Sequence, residues 1–238
     1  AVSFADLDTG VVVDHVDRQR MTDERLAAPA VDTDPKRARD FVACGRPLPK
    51  HEVEVRDDSG KTLPDRQIGR LFVKGPSVMA GYYNEPEATA LVLDQKSGWL
   101  DTGDLGYLLD GQIVITGRAK DLIIINGRNI WPQDLEWAVE ELPAVRKGDV
   151  AAFAVEGAGD EEEAVILVEC RLADATARAE LAREVEGVIR RAAAIECRVV
   201  LIEPRSLPLT SSGKLSRSRA KDNYLNGVYE SAAAVSAQ

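Results

Sequence analysis

The apolar pattern suits β-strands over Val11–Val16, which opens on three valines, and over Val53–Arg56, where apolar and polar residues alternate; the run Ile68–Lys74 puts Ile68, Leu71 and Val73 in a third. Gly and Pro punctuate these runs. Between Thr22 and Asp40 the chain is rich in Ala, Pro, Asp and Arg and shows no period, which predicts a surface loop or short irregular helix inserted between strands. Asp110-Gly111 separates the apolar segments Leu105–Leu109 and Ile113–Ile115, the pattern of a two-residue β-hairpin.

After Gly117 the period changes, and strands begin to alternate with helices. This places a boundary at 117–121 between a first domain, 1–116, and a second, 122–238. Pro132 opens a helix with Leu135, Ala138, Val139 and Leu142 on one stripe and acids on its outer face. Strands follow at Val150–Val155 and Ala164–Glu169, joined by a solvated acidic loop, Gly157–Glu163. A second helix, capped by Thr176, carries Leu181, Val185, Val188, Ile189 and Ala192 on one stripe, and Arg198–Ile202 reads as a strand. Helix, two strands, helix and strand make a compact α+β domain. Ser231–Gln238 reads as a frayed end.

Composition narrows the function. The 238 residues carry 30 Lys and Arg against 40 Asp and Glu, a net charge of −10, which argues against nucleic acid or anionic membrane as partners. Apolar runs such as Leu122–Ile125 are far too short to span a bilayer. Cys44, Cys170 and Cys197 lie far apart, suiting free packing thiols in a reducing cytoplasm rather than disulfides or a zinc site. His15 and His51 have no companion ligand or nucleophile nearby in sequence and read as exposed strand or turn residues. No residue is assigned to a metal.

Four stretches could carry chemistry: Trp99–Asp104, Gly117–Asp121, Ile125–Ile130 and Leu209–Lys214. Asp104 follows a Thr-Gly turn, where its carboxylate either accepts two hydrogen bonds from a sugar diol or closes its own turn. Arg118 offers a fork of donors for phosphate or ribose oxygens, or simply reaches solvent. Lys120 is a hinge or a surface lysine. Ser211-Ser212-Gly213-Lys214 fails as a Walker loop, because Pro208 and Leu215 stand where that motif needs Gly and Ser or Thr. It still presents one long cation at the tip of a mobile loop, suited to transient charge neutralisation. Arg217, Arg219 and Lys221 read as a solvated basic helix face or as an attraction for an acidic partner.

Taken together, in this order and at these separations, the four stretches resemble the distal motifs of the adenylate-forming superfamily. That superfamily includes acyl-CoA synthetases, fatty acyl-AMP ligases, luciferases and peptide-synthetase adenylation domains. Gly69–Val78 and Gly81–Asn84 look like the stretch that precedes its ribose-binding aspartate. Asp14–Asp17, Ala28-Pro29-Ala30, Val42–Pro49 and Asn129–Glu136 are most similar to fatty acyl-AMP ligases.

The resemblance implies a fold of α/β and α+β character: the β-rich distal subdomain of the large adenylate-forming domain, a hinge at 117–121, and a small α+β lid. It makes Asp104 the acceptor for the ribose hydroxyls of ATP, Arg118 a second nucleotide contact and Lys120 the hinge. Lys214 becomes the catalytic lysine of adenylation, and Asn126, Gly127, Arg128 and Asn129 a mobile loop used in the second half-reaction. Magnesium neutralises the pyrophosphate. The phosphate loop, acyl pocket and Tyr-Gly-x-Thr-Glu segment of the superfamily have no equivalent in this sequence. The resemblance therefore implies the C-terminal portion of an enzyme, inactive alone, whose partners are the missing N-terminal part, a fatty acid and an acyl carrier protein. An acyl-CoA ligase and a non-catalytic module that docks a carrier protein are the alternatives.

Overall fold

A computed structural model describes residues 1–5, 7–8, 10–32, 34, 37–157 and 162–229. The expected frayed end, Ser231–Gln238, and the middle of the acidic loop, 158–161, lie outside the described residues. The chain divides into two compact units, Ala1–Lys120 and Asp121–Gln238.

The first unit contains β1 (Ser3–Phe4), β2 (Val13–Asp17), α1 (Arg18–Glu24), β3 (Ala38–Val42), β4 (Arg46–Pro47), β5 (Glu52–Arg56) and β6 (Gly69–Lys74). It continues through α2 (Pro86–Val92), β7 (Leu93–Asp94), β8 (Trp99–Leu109) and β9 (Gln112–Arg118). A five-stranded antiparallel sheet joins β5, β6, β8 and β7, with β9 also on β8. The expected strands at Val53–Arg56 and Ile68–Lys74 are β5 and β6, paired from Glu52↔Lys74 to Arg56↔Arg70. Val55, Leu71 and Ile113 pack together in one apolar cluster. The Asp110-Gly111 hairpin forms between β8 and β9, with φ of 50° and 77° at the two turn residues, the primed geometry that fits the twist of the strands.

The segment Thr22–Asp40, expected as a surface loop or short irregular helix, contains the end of one short helix and the start of a strand. Asp17 caps α1 by accepting from the N–H of Arg20, so the helix begins before Thr22 and buries Met21. Strand β3 then starts at Ala38, inside the expected loop, and pairs with β2. Between them Ala27 N–H donates to the Arg66 carbonyl at 2.8 Å and Ile68 N–H to that of Arg25 at 2.8 Å. Arg66 also grips both oxygens of buried Asp14, at 3.1 and 3.2 Å, and the Tyr107 hydroxyl donates to the same carboxylate at 2.6 Å.

The second unit contains β10 (Ile123–Ile125), β11 (Arg128–Ile130), α3 (Pro132–Glu140), β12 (Val150–Glu156), β13 (Glu162–Glu169), α4 (Ala175–Ala193), β14 (Cys197–Ile202) and α5 (Arg217–Leu225). Strand β13 is central, antiparallel to β12 and parallel to β14, with α4 as the crossover. One face of this sheet packs Ala152, Ile166 and Val168 against Leu135 and Val139 of α3 and Leu181, Val185 and Ile189 of α4. The other packs Phe153, Val155 and Leu167 against Leu207, Ala220 and Tyr229. Burial on both faces explains the nearly continuous apolar run of β13.

Several expectations are corrected here. Asp174, not Thr176, caps α4, by accepting from the N–H of Ala177. Glu136 of α3 is buried rather than on an outer face, and Arg217 of α5 lies against it instead of in solvent. Glu162 and Glu163 at the end of the acidic loop are strand residues with partners: the first accepts from the N–H of Ile124 and the second pairs with Arg198. Cys170 and Cys197 are packing residues as expected, but Cys44 is exposed. Burial, with the nearby Glu186 and Glu196 charges, pushes the Cys197 thiol up to about 11. His15 is exposed and His51 half-buried, facing Asp40 and Ser77 respectively. No helix of the described residues is long and apolar enough to cross a membrane.

Candidate functional site

The candidate residues fall on both units. In the first unit the long strand β8 is interrupted between Thr102 and Asp104. On one side its register with β6 shifts between Arg70↔Leu105 and Phe72↔Asp101, and on the other its register with β9 shifts after Leu105↔Gly117. Such a bulge re-aims a side chain that regular pairing would fix. Local bonds hold its shape. Thr102 Oγ1 donates to the Leu71 carbonyl at 2.8 Å, and Asp104 N–H donates to Thr102 Oγ1 at 3.1 Å. Gly103 takes a φ of 72°, where a side chain would be strained, and donates its N–H to Asp101 Oδ1 at 2.9 Å. Arg70 holds the other oxygen of Asp101 at 2.6 Å. Both residues lie in stretches singled out from the sequence, Gly69–Val78 and Trp99–Asp104, but neither was given a role there; their opposite charges were the available signal.

Asp104 and Arg118, expected separately, are register partners across the root of the β8–β9 hairpin, and Arg118 Nε lies 2.8 Å from Asp104 Oδ1. The arginine side chain is 57% exposed and the aspartate 23%. Burial raises the carboxyl pKa of Asp104 above the ordinary value, the charge of Arg118 pulls it back, and that of Asp101 pushes it up again, for a net rise. The result is a carboxylate with an acceptor oxygen beyond the one facing Arg118, beside a guanidinium that reaches solvent. A carboxylate has capacity for both hydroxyls of a vicinal diol, and the guanidinium for a further nucleotide oxygen.

Lys120 lies exposed in the single 3₁₀ turn Ala119–Asp121, at the point where the two units divide.

In the second unit Asn126 to Asn129 form part of a β-hairpin that the sequence reasoning passed over. Strands β10 and β11 pair from Ile123↔Ile130 to Ile125↔Arg128, and Asn126 and Gly127 make the turn with φ of 53° and 73°. The Asn-Gly pair was the missed signal. Arg128 Nη1 donates to the Ala193 carbonyl at 2.9 Å and Asn129 is buried. Lys214 likewise sits on a hydrogen-bonded turn. Thr210 N–H donates to the Lys214 carbonyl at 2.7 Å, Gly213 N–H to that of Thr210 at 2.9 Å, and Leu209 bridges Leu215. The lysine is exposed and its ammonium makes no hydrogen bond or ion pair with a described residue. Among the described residues no group of three or more His, Cys, Asp or Glu side chains is placed to hold a metal ion.

Comparison with known proteins identifies the relatives of the chain. Residues 21–83 match the family described as AMP-binding enzyme. A Caulobacter vibrioides protein named as an acyl-CoA synthetase is 52% identical over 96% of this chain and 40% of its own length. The medium-chain-fatty-acid–[acyl-carrier-protein] ligase JamA of Moorena producens is 39% identical over 81% of this chain and 34% of its own. A structure from work on fatty acyl-adenylate ligases of E. coli and L. pneumophila superposes with a TM-score of 0.81 at 40% identity, covering 98% of this chain and 40% of that one. The chain thus spans about 40% of the length of the Caulobacter relative and a similar or smaller share of the others.

Proposed function

We propose that this chain, a member of the AMP-binding, adenylate-forming enzyme family with relatives among acyl-CoA synthetases and fatty acyl-AMP ligases, is the distal part of a fatty acyl-AMP ligase. The whole enzyme joins a fatty acid to ATP, releases pyrophosphate, and passes the acyl group from the adenylate to the phosphopantetheine arm of an acyl carrier protein. In this reading Ala1–Lys120 carries the nucleotide-holding edge of the large domain, and Asp121–Gln238 is the lid that turns about Lys120. The observation that carries the reading is the pairing of Asp104 with Arg118 at one hairpin root, which supplies a ribose-binding carboxylate and a second nucleotide contact from adjacent strands.

Asp104 accepts hydrogen bonds from the ribose hydroxyls, and Arg118 turns from the carboxylate toward the nucleotide. Adenylation brings the fatty-acid carboxylate against the α-phosphate, two anions in one place. The ammonium of Lys214, lying between them when the lid closes, offsets that repulsion as charge builds up on the reacting oxygens. A cation that makes no ion pair with a described residue of its own unit is available for this task. Magnesium, if bound with ATP, would supply positive charge to offset that of the departing pyrophosphate. The Asn126–Asn129 turn is the part of the lid presented in the second half-reaction. Function in the cytoplasm fits a substrate set of fatty acid, ATP and carrier protein.

The test is pyrophosphate release from fatty acid and ATP. The full-length enzyme turns over, whereas the 238-residue chain alone does not, because the other roughly 60% of each relative's length contributes the rest of the site. Turnover by the isolated chain contradicts the proposal. The 52% identity to a protein named as an acyl-CoA synthetase favours a second reading, in which coenzyme A accepts the acyl group. Giving the full-length enzyme coenzyme A or a carrier protein, and following acyl-thioester formation on each, separates the two.

A further inference from the structure

Arg217, the first residue of α5, is held by two carboxylates remote in sequence. Its Nε and Nη2 lie 2.7 and 2.6 Å from the two oxygens of Glu136 on α3, and its Nη1 lies 3.4 Å from Oδ2 of Asp121. The side chains are 16%, 7% and 13% exposed respectively. Glu136 is fixed in turn, since its Oε1 accepts the N–H of Ala152 on β12 at 3.0 Å. Burial opposes the arginine's charge, but the hydrogen bond and charge of Glu136, with those of Asp121, raise its pKa on balance. A planar fork held by both arms in a half-dry site has one orientation.

Position along the chain gives this cluster its meaning. Arg217 follows closely on Lys214, and the intervening Ser216 N–H donates to the Pro208 carbonyl at 2.9 Å. Leu207 and Leu215 pack into the apolar cluster beneath. The root of the lysine turn is therefore held by apolar packing on one side and by the Arg217 fork on the other. Asp121 is the first residue of the second unit and immediately follows Lys120. Resting on the reading of Lys214 as the adenylation lysine, we propose that Arg217 is a positioning residue that locks the lysine turn to Asp121, so that rotation at Lys120 is delivered to the ammonium without slack. The need is physical. A lysine side chain is flexible, and a displacement of about 1 Å at a reacting centre costs on the order of 100-fold in rate.

The test uses the full-length enzyme, with pyrophosphate release from fatty acid and ATP as the readout and a thermal melt to confirm folding. Arg217→Lys keeps the charge but cannot form the fork. We expect kcat to fall roughly 10-fold or more while KM for ATP, set by the first unit, stays within about twofold. Because the arginine acts through Lys214, adding Arg217→Lys to a Lys214→Ala enzyme produces no further loss. Asp121→Asn, which weakens only the arm to the connector, shows the same signature at smaller size and serves if Arg217→Lys does not fold. A crippled Lys214→Ala enzyme alongside unaffected Arg217→Lys and Asp121→Asn enzymes overturns the positioning role alone. Full additivity of the double variant overturns it too, by showing that the arginine acts through the fold. A Lys214→Ala enzyme of unchanged rate removes the underlying reading, and this role with it.

Discussion

Arg118 meets Asp104 across one hairpin with its side chain 57% exposed, whereas Arg217, 16% exposed, meets Glu136 from a helix far along the chain. Both are arginine–carboxylate pairs at close range, 2.8 and 2.6 Å. The first is assembled by strand register, leaves its arginine in water and can trade that contact for a ligand. The second is closed off, with each carboxylate oxygen occupied, and is suited to holding elements together. Distance alone does not separate a ligand-binding pair from a structural one; solvent access and the number of remaining partners do.

The largest expected effect follows from that contrast. Glu136→Ala strands a partly buried guanidinium, and such breakage costs about 3 kcal/mol or more. It should lower the stability of the second unit by that order, seen as faster hydrogen exchange in α3 and β12. A loss below about 1 kcal/mol makes the two pairs energetically alike and breaks the comparison. Next in size, Asp104→Ala in the full-length enzyme should raise KM for ATP roughly 10- to 100-fold, the scale of losing hydrogen bonds to a charged group. The melting temperature should barely move.

The pH dependence sharpens the same point. The folded carboxyl of Asp104 has a raised pKa, so its contribution to stability is greatest below the unfolded value and is lost as pH rises through the folded value. At neutral pH its charge costs stability, and Asp104→Asn should therefore melt no lower than wild type while binding ATP more weakly. Titrating ATP affinity downward in pH should show loss beginning at a higher pH than an ordinary aspartate gives. The smallest expected change is in the stability of Arg118→Ala, within about 1 kcal/mol in a denaturant melt, because the pair it breaks is exposed.

Much of this architecture could be read from local patterns, and the exceptions share a cause. Strands β5, β6, β12 and β13, the Asp110-Gly111 turn and the apolar stripe of α4 each depend on residues near one another in sequence. The pairing of Asp104 with Arg118 follows from the register of the hairpin that Asp110-Gly111 closes, whereas their assignment to a nucleotide rests on the resemblance. The burial of Glu136 was not legible because its partners, Ala152 and Arg217, lie 16 and 81 residues further along the chain. Helix α5, a polar stretch with only Ala220 buried, has little apolar periodicity to announce it. Helix α1 offers only Met21 to the core, so its capping aspartate was the one clear signal. The β10–β11 hairpin is marked only by Asn126-Gly127, because its strands, three residues each, are too short to show a period.

The central claim is that a carboxylate on the first unit and a lysine on the second serve one adenylation reaction. It is tested most directly by fatty-acid- and ATP-dependent pyrophosphate release from the full-length enzyme carrying Lys214→Ala. The account predicts a fall of about 100- to 1,000-fold in kcat with the fold intact. A rate within twofold of wild type contradicts it.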